Sequence, residues 1–143
     1  MKIIGLLWGV VLGVLALCIS AFAHDAKLHE KMVPTDIQMK KLHAMMPMFS
    51  RESAGLESAI NSRDITALKM HSDKILSAVP DLKKSKPHKN LKQTAEFKIL
   101  ADKLGVDVKT VVSFAEQGDF TEAQRTFKNL ETRCAECHSK YRD

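Results

Sequence analysis

The hydrophobic residues of this chain recur every three or four positions in four separate stretches, the spacing of one face of an α-helix. The first stretch runs from residues 35–36, either of which can cap a helix, to about Asn61. Pro47 lies inside this stretch and predicts a kink or a break near residues 44–46. Gly55 weakens the same helix further.

The next two stretches predict one helix each. The second helix starts near residues 62–64 and runs to about Val79, where Pro80 and a lysine-rich segment end it. The third helix covers residues 90–117, and Gly105 would allow it to divide into two pieces. Strands are not expected, because apolar and polar residues rarely alternate and runs of β-branched residues are few.

The fourth stretch has the clearest boundaries. Gly118 closes the third helix, and Asp119 followed by Glu122 three residues later forms a capping box for the last one. Its inward positions recur about every 3.5 residues, the spacing of a packed helix seam. They are Phe120, Ala123, Phe127, Leu130, Cys134, Cys137 and Tyr141. Four amphipathic helices joined by short links predict an all-α, antiparallel four-helix bundle.

The last ten residues contain Cys134, Cys137 and His138 in a Cys-x-x-Cys-His motif, the pattern that attaches a c-type haem. Thiols three positions apart lie on one face of a helix, so they can add to the two vinyl groups of one porphyrin. The adjacent imidazole can then bind the iron as an axial ligand. Because both cysteines belong to the inward stripe of the last helix, we expect the haem to lie inside the bundle.

The N-terminus has the layout of a secretion signal. Lys2 precedes an uncharged run over residues 3–19, and residues 21–23 (Ala-Phe-Ala) form a small-x-small cleavage site. We therefore expect residues 1–23 to be cleaved and residues 24–143 to form one periplasmic domain without membrane attachment. An uncleaved anchor is the alternative, although an apolar run of 17 residues is short for a membrane-spanning helix.

Other interpretations of the cysteine motif fit less well. A structural zinc site needs four ligands, and the third cysteine of the chain, Cys18, belongs to the secretion signal. A thioredoxin-type pair belongs at the start of a helix beside a βαβ unit, whereas this pair lies at the end of a helical pattern. A structural disulfide and a chance match are the remaining alternatives.

Charge adds one further feature. The chain has 22 basic and 17 acidic side chains and a formal net charge of +5. Residues 83–89 (Lys-Lys-Ser-Lys-Pro-His-Lys) are the one dense basic run, which is most simply a solvated loop between helices. The sharper interpretation is a docking patch for an acidic redox partner, or charge near the haem propionates. Nucleic-acid binding is not expected, because no motif supports it and aromatic residues are scarce.

The C-terminal motif extends to Cys-x-x-Cys-His-x-x-Tyr-Arg, and together with a secretion signal and four helices it resembles the cytochrome c′ family, the class II c-type cytochromes. The resemblance implies one covalent haem c, linked through Cys134 and Cys137, with His138 as the proximal ligand. It also implies Arg142 near the proximal side of the haem, and Tyr141 packed on the haem or on a neighbouring helix. Homodimers are common in this family.

The resemblance also implies that a residue of the first helix covers the opposite face of the iron. High-spin members have a non-ligand there and bind small gases, whereas low-spin relatives have methionine there and transfer electrons. The first helix contains Met39, Met45, Met46 and Met48. Met45 is favoured, because Lys41 stands four residues before it, where the family often has a basic residue close to a propionate. Met46 is the next choice, and His43 would give bis-histidine ligation instead. The other histidines are expected to face solvent: His24, His29, His71 and His88.

These observations predict a periplasmic monohaem electron carrier that exchanges electrons with redox proteins of a respiratory chain and is not itself an enzyme. A methionine ligand would favour ferrous over ferric iron and raise the reduction potential. The alternative is a five-coordinate, high-spin cytochrome c′ that binds NO or CO. A third interpretation is a helical interaction protein without haem, in which the motif is coincidental.

Overall fold

The computed structural model describes residues 33–142, without the side chains of residues 33–36, 38 and 39. Within that range it has four α-helices and no strand, which confirms the predicted all-α four-helix bundle. The helices are α1 (Val33–Ser62), α2 (Ile65–Lys84), α3 (Thr94–Glu116) and α4 (Phe120–Tyr141). None of these four helices is both long enough and apolar enough to cross a membrane. The predicted signal peptide, residues 1–23, lies outside the described residues.

The directions of the helices follow from the ion pairs between them. Lys69 near the start of α2 pairs with Glu116 at the end of α3. Lys83 near the end of α2 pairs with Asp102 in the first half of α3, at 2.6 Å. α2 and α3 are therefore antiparallel. The closest backbone approaches join α2 to α3 and α3 to α4, so α3 has a close neighbour on either side.

Two clusters of buried side chains form the core. The larger cluster contains Leu56 and Phe127, which are 0% and 1% exposed. The smaller cluster surrounds Tyr141 at the end of α4 and includes Phe97 of α3. Burial of such apolar side chains is the main favourable contribution to folding. Cys137 packs against the smaller cluster, so this part of the core also supports the cysteine motif.

The turn between α3 and α4 confirms part of the predicted capping. Gly118 has φ of 80°, in the left-handed region that glycine adopts without steric strain. The Asp119 side chain accepts a hydrogen bond from the backbone N–H of Glu122 at 3.0 Å. The Glu122 carboxylate completes no reciprocal bond, because it accepts from Arg125 instead. α4 is therefore capped by Asp119 alone.

The helix end predicted at Pro80 is wrong, and of the kink or break predicted at Pro47 the break does not occur. α1 is helical without a break through Pro47, including residues 44–46. α2 continues through Pro80 and ends at Lys84, five residues later than predicted. Both prolines lie at exposed positions. A proline costs its helix one backbone hydrogen bond and crowds the preceding turn. Apolar packing on both sides offsets that cost, as shown by Leu82, which is 6% exposed in the last turn of α2.

The third helix also differs from its prediction. It begins at Thr94, four residues later than expected, because Asn90 has φ of 56° and interrupts regular helix geometry. The division that Gly105 would allow does not occur, since α3 is continuous through this residue. Gly105 is buried there, so packing of the surrounding helix outweighs the low helix propensity of glycine.

Candidate functional site

A cavity of about 890 Å³ opens at one end of the bundle, and most of its lining residues belong to α1 and α4. Its volume falls within the range of about 300–1,000 Å³ that is usual for ligand and cofactor sites. Its apolar walls come from all four helices. They include Leu42, Met46, Phe49, Leu82, Phe97, Leu100, Leu104 and Leu130. A large, flat and mostly apolar group would be desolvated here.

Cys134 and Cys137 both line this cavity, one turn apart on the same face of α4. The thiols are free and half-buried. Burial raises the pKa of Cys134, and burial with the nearby Cys134 and Glu136 raises the pKa of Cys137 to about 11. Both thiols are therefore protonated at neutral pH. Redox-active pairs instead have a lowered pKa, often at a helix N-terminus, so this site does not match the thioredoxin-type alternative.

A zinc site is not supported either. Within residues 33–142, no group of three or more His, Cys, Asp and Glu side chains is placed to hold a metal ion. A structural zinc ion needs four such ligands. The disulfide alternative is not realised in this structure, because Cys134 and Cys137 are unbonded. The two thiols are thus available to react with a group bound in the cavity.

His138 and Arg142 line the cavity beside the thiols. Burial is the main cause that lowers the pKa of His138, and the Arg142 charge acts in the same direction. The imidazole is therefore favoured in its neutral form, which is the form that binds metals. The backbone N–H of Arg142 donates to the His138 carbonyl at 3.1 Å, so α4 is ordered to its last turn.

Tyr141 ties the end of α4 to the start of α3. Its ring is 3% exposed and packs edge-on against Phe97, with ring centroids 5.2 Å apart. Its hydroxyl donates to the Gln93 carbonyl at 3.2 Å. Burial and the nearby Glu96 carboxylate raise the pKa of Tyr141. Lys140 adds an ion pair with Glu96 at 2.6 Å, so two contacts fix the turn that follows His138.

The α2–α3 loop, residues 85–93, caps the end of α4. The backbone N–H groups of His88 and Lys89 donate to the Tyr141 carbonyl at 3.1 and 3.3 Å. The Asn90 side-chain amide donates to the Lys140 carbonyl at 2.7 Å. These bonds satisfy carbonyls that a helix end otherwise leaves to water. The sequence showed this segment only as a basic run, and the capping role was missed.

The cavity face of α1 carries Met46 and His43 but not the residues favoured from sequence. Met46 lines the cavity, whereas Met45, Met48 and Lys41 do not. Met45 and Met46 are both half-buried and both pack against the smaller core cluster. The side chain of Met39 lies outside the described residues. A shift of one residue rotates a side chain by about 100° around a helix, so Met45 and Met46 meet different surroundings.

The described histidines differ in their surroundings. His43 is exposed, lines the cavity and stacks on His88, with ring centroids 5.1 Å apart. The expectation that His71 faces solvent is wrong, since its side chain is only 20% exposed and its Nδ1 lies 2.8 Å from Glu52 Oε2. His24 and His29 lie outside the described residues. The packing of His71 on a buried carboxylate is a tertiary contact that no local pattern signals.

Glu52 is the most buried charged residue described, at 1% exposure. Besides His71 it contacts Arg51 at 2.9 Å and Lys74 at 3.3 Å. The hydrogen bond with His71 is the main cause that lowers the pKa of Glu52 to about 2. Because Glu52 does not line the cavity, this cluster joins α1 to α2 and takes no part in the candidate site.

The cavity fits the group that the motif implies. It is apolar, it is large enough for a macrocycle, and it brings two free thiols and a neutral imidazole to one wall. These features define the class of protein: a c-type haem protein built on a four-helix bundle.

The family match agrees with this class. A family model described as Cytochrome C' matches residues 26–142, and the chain therefore belongs to the cytochrome c′ family. The family binds covalently attached haem c, typically one per chain. Its members generally carry haem or bind ligands rather than act as enzymes, and they are typically periplasmic and often homodimeric. A search of curated proteins found no match to this chain.

Proposed function

We propose that this protein is an exported monohaem electron carrier in which Met46 supplies the sixth iron ligand. Cys134 and Cys137 would form the thioether links, and His138 would be the proximal ligand. The observation that carries the proposal is the place of Met46 on the α1 wall of the cavity that also contains the cysteine motif. Sequence favoured Met45, and the lining of the cavity favours its neighbour.

The register of α1 supports this choice. Leu42, Ser50 and Ser53 all line the cavity, at positions four before, four after and seven after Met46. Residues at these spacings share one helix face. Met45 and Met46 both pack against the smaller core cluster, but of the two only Met46 lines the cavity.

The residues of the chain determine what the site can do. When bound, the haem iron supplies one-electron chemistry by cycling between its ferric and ferrous states. The His138 imidazole and the Met46 thioether would keep a similar geometry in both states, and methionine sulfur favours the ferrous state. Apolar residues such as Phe49 and Leu100 exclude water from the site. Tyr141 and the α2–α3 loop hold the turn that carries His138.

Optical spectra of the exported holoprotein, ferric and ferrous, with and without CO, test this proposal. We expect a low-spin spectrum with a methionine-to-iron charge-transfer band and no response to CO. Met46→Leu should abolish the band and open the ferrous protein to CO. Met45→Leu is the matched control and should leave both unchanged.

Three results would contradict the assignment. A wild-type spectrum that is high-spin and shifts with CO would establish the gas-binding alternative. Loss of the charge-transfer band in Met45→Leu, but not in Met46→Leu, would identify Met45 as the sixth ligand. Bis-histidine ligation would be indicated if the wild type is low-spin and if only His43→Leu converts its spectrum to a high-spin one.

Attachment of the haem is tested separately. Replacing Cys134 and Cys137 together with Ala should leave haem that acidified organic solvent extracts completely, whereas the wild-type haem stays with the protein. Each single variant should retain one thioether link. Haem that resists extraction in the double variant would refute the assignment of these thiols.

We further propose that residues 1–23 are a cleaved secretion signal and that residues 24–143 form the mature periplasmic domain. The support is the uncharged run over residues 3–19 followed by the Ala-Phe-Ala site. The intact mass of the exported holoprotein should correspond to a chain that begins at His24. A mass that includes residues 1–23 would establish a retained anchor.

A further inference from the structure

We propose that Lys86, Lys89 and Lys92, three lysines of the α2–α3 loop, form a docking surface for the acidic face of a redox partner protein. These three residues are called the lysine rim. The inference rests on the proposed electron-carrier function, because a docking surface beside the haem cavity serves electron exchange. Lys86 and Lys89 belong to the basic run of residues 83–89, and Lys92 extends it within the same loop.

The loop that carries the rim lies directly at the cavity. Pro87 and His88 line the cavity, and Lys86 and Lys89 flank them in the sequence. The Lys89 backbone donates to the Tyr141 carbonyl at 3.3 Å, three residues beyond His138. Lys86 and Lys89 therefore stand beside the wall that carries the cysteine motif, and Lys92 follows them in the same loop.

The charge of this segment is concentrated and only partly compensated. Residues 81–93 contain five lysines and a single carboxylate. Two of these lysines, Lys83 and Lys84, form ion pairs with Asp102 and Asp81. The three rim lysines are exposed, and within residues 33–142 none of them forms an ion pair. A group of uncompensated like charges raises the local positive potential.

Some cations elsewhere on the bundle are matched by carboxylates. Lys128 pairs with both Glu57 and Glu131, at 3.3 and 2.9 Å. Arg133 pairs with Asp107 at 3.4 Å, and Glu136 also lies 3.2 Å from this guanidinium. Residues 86–92, by contrast, contain the three rim lysines and no carboxylate. A complementary negative surface would be attracted to this end of the molecule and oriented there.

The form of the loop favours a protein over a lipid surface as the occupant. Its backbone is fixed by hydrogen bonds from His88, Lys89 and Asn90 to α4, so the lysines extend from a defined scaffold. Peripheral membrane surfaces add aromatic or aliphatic anchors to their basic residues. Residues 85–93 contain no aromatic side chain other than histidine, and Leu91 is their only exposed large apolar residue.

The test measures electron transfer from the reduced holoprotein by stopped-flow spectroscopy. The acceptor is a blue-copper protein of net negative charge in its oxidised form, so one electron passes from ferrous iron to Cu(II). Lys86→Gln with Lys89→Gln is compared with the charge-matched control, Lys103→Gln with Lys109→Gln. The control lysines are exposed on α3, about 15 and 24 Å along the helix from Gln93 at 1.5 Å per residue.

At low ionic strength we expect the rim variant to lower the bimolecular rate constant by about tenfold, the low end of electrostatic steering effects. The control variant should change it less than about twofold. Both differences should vanish near 1 M salt, where the Debye length is about 3 Å. With tris(phenanthroline)cobalt(III), a cationic acceptor, the rim variant should react faster than wild type.

The contrary outcomes are distinct. Equal losses in the two variants would mean that only net charge matters, and the rim would be rejected. Rim-dependent binding to phosphatidylglycerol vesicles, with no change in the rate to the copper protein, would replace the partner protein with a membrane. If the reduced wild type fails to reduce hexacyanoferrate(III) and binds CO, the electron-carrier function itself fails. The comparison of the rim variant with the control variant tests the lysine rim alone, and the CO and hexacyanoferrate(III) measurements test the electron-carrier function.

Discussion

Gly55 of α1 lies against the ring of His71 on α2, closer than any side chain would allow. A Cβ built at Gly55 would stand 2.5 Å from both Nδ1 and Nε2 of that ring. The ring is held in place, because its Nδ1 is hydrogen-bonded to the buried Glu52 carboxylate at 2.8 Å. We therefore predict that Gly55→Ala destabilises the protein, although alanine is the better helix former.

The expected size follows from two opposing contributions. Alanine in a helix interior is favoured over glycine by about 1 kcal/mol, and an extra methyl group in a filled site costs about 1–3 kcal/mol. Gly105 on α3 provides the control, because a Cβ there would meet the Val79 methyl groups at 3.7 and 3.8 Å, which is ordinary contact. Both variants gain helix propensity, so Gly55→Ala should be less stable than Gly105→Ala by about 1–3 kcal/mol.

Urea unfolding of the holoproteins at pH 7, followed by far-ultraviolet circular dichroism, measures this difference. A second comparison identifies its cause: in a His71→Ala background, Gly55→Ala should become stabilising, because the obstructing ring is gone. Double-mutant cycles of this kind isolate the interaction between two residues in contact. Equal stability of Gly55→Ala and Gly105→Ala, or a penalty for Gly55→Ala that survives the loss of the His71 ring, would contradict a clash between residues 55 and 71.

Three further predictions concern the described contacts. The pKa of Glu52 is lowered from 4.5 to about 2 in the folded protein, so its stabilising effect is present above about pH 4.5 and is lost as the pH falls towards 2. Glu52→Gln should flatten this acid decline in urea unfolding between pH 6 and pH 3, and parallel declines would contradict the assignment. Tyr141→Phe removes the hydroxyl that bonds Gln93 and should cost about 0.5–1.5 kcal/mol by urea unfolding, with an unchanged haem spectrum. Leu56→Ala opens space at a position with 0% exposure and should cost about 2–5 kcal/mol in the same assay, so a change below 1 kcal/mol would contradict its place in the core.

The fold was predictable because each helix carries its own amphipathic pattern. The turn at Gly118 and the cap at Asp119 were also readable, since both depend on local backbone chemistry. Pro80 misled the prediction of a helix end, and Pro47 does not break its helix. Proline acts on the local helix, whereas the continuation of these helices depends on apolar contacts with other helices, which the sequence does not display.

The cysteine motif of the candidate site was predictable from the sequence, whereas the methionine of α1 that lines the cavity was not. Cys134, Cys137 and His138 are neighbours in the sequence, so one helix turn is enough to bring them together. The choice between Met45 and Met46 depends on the rotational phase of a long helix against its partners, and adjacent residues carry no local signal of that phase. The capping of α4 by Asn90 could not be predicted from the sequence, because the hydrogen bond joins residues 50 positions apart.

The same loop anchors the end of α4 and carries the lysine rim, and the two roles use different atoms. Anchoring depends on the backbone N–H groups of His88 and Lys89 and on the Asn90 side chain. Docking would depend on the ammonium groups of Lys86, Lys89 and Lys92. Lysine-to-glutamine changes in the rim therefore alter charge while leaving the anchoring bonds intact. Asn90→Ala should do the reverse, loosening the turn that follows His138 without changing the charge of the rim. A loss of partner reactivity in the lysine variants with an unchanged haem spectrum would then be attributable to docking, because the contacts that position His138 are untouched.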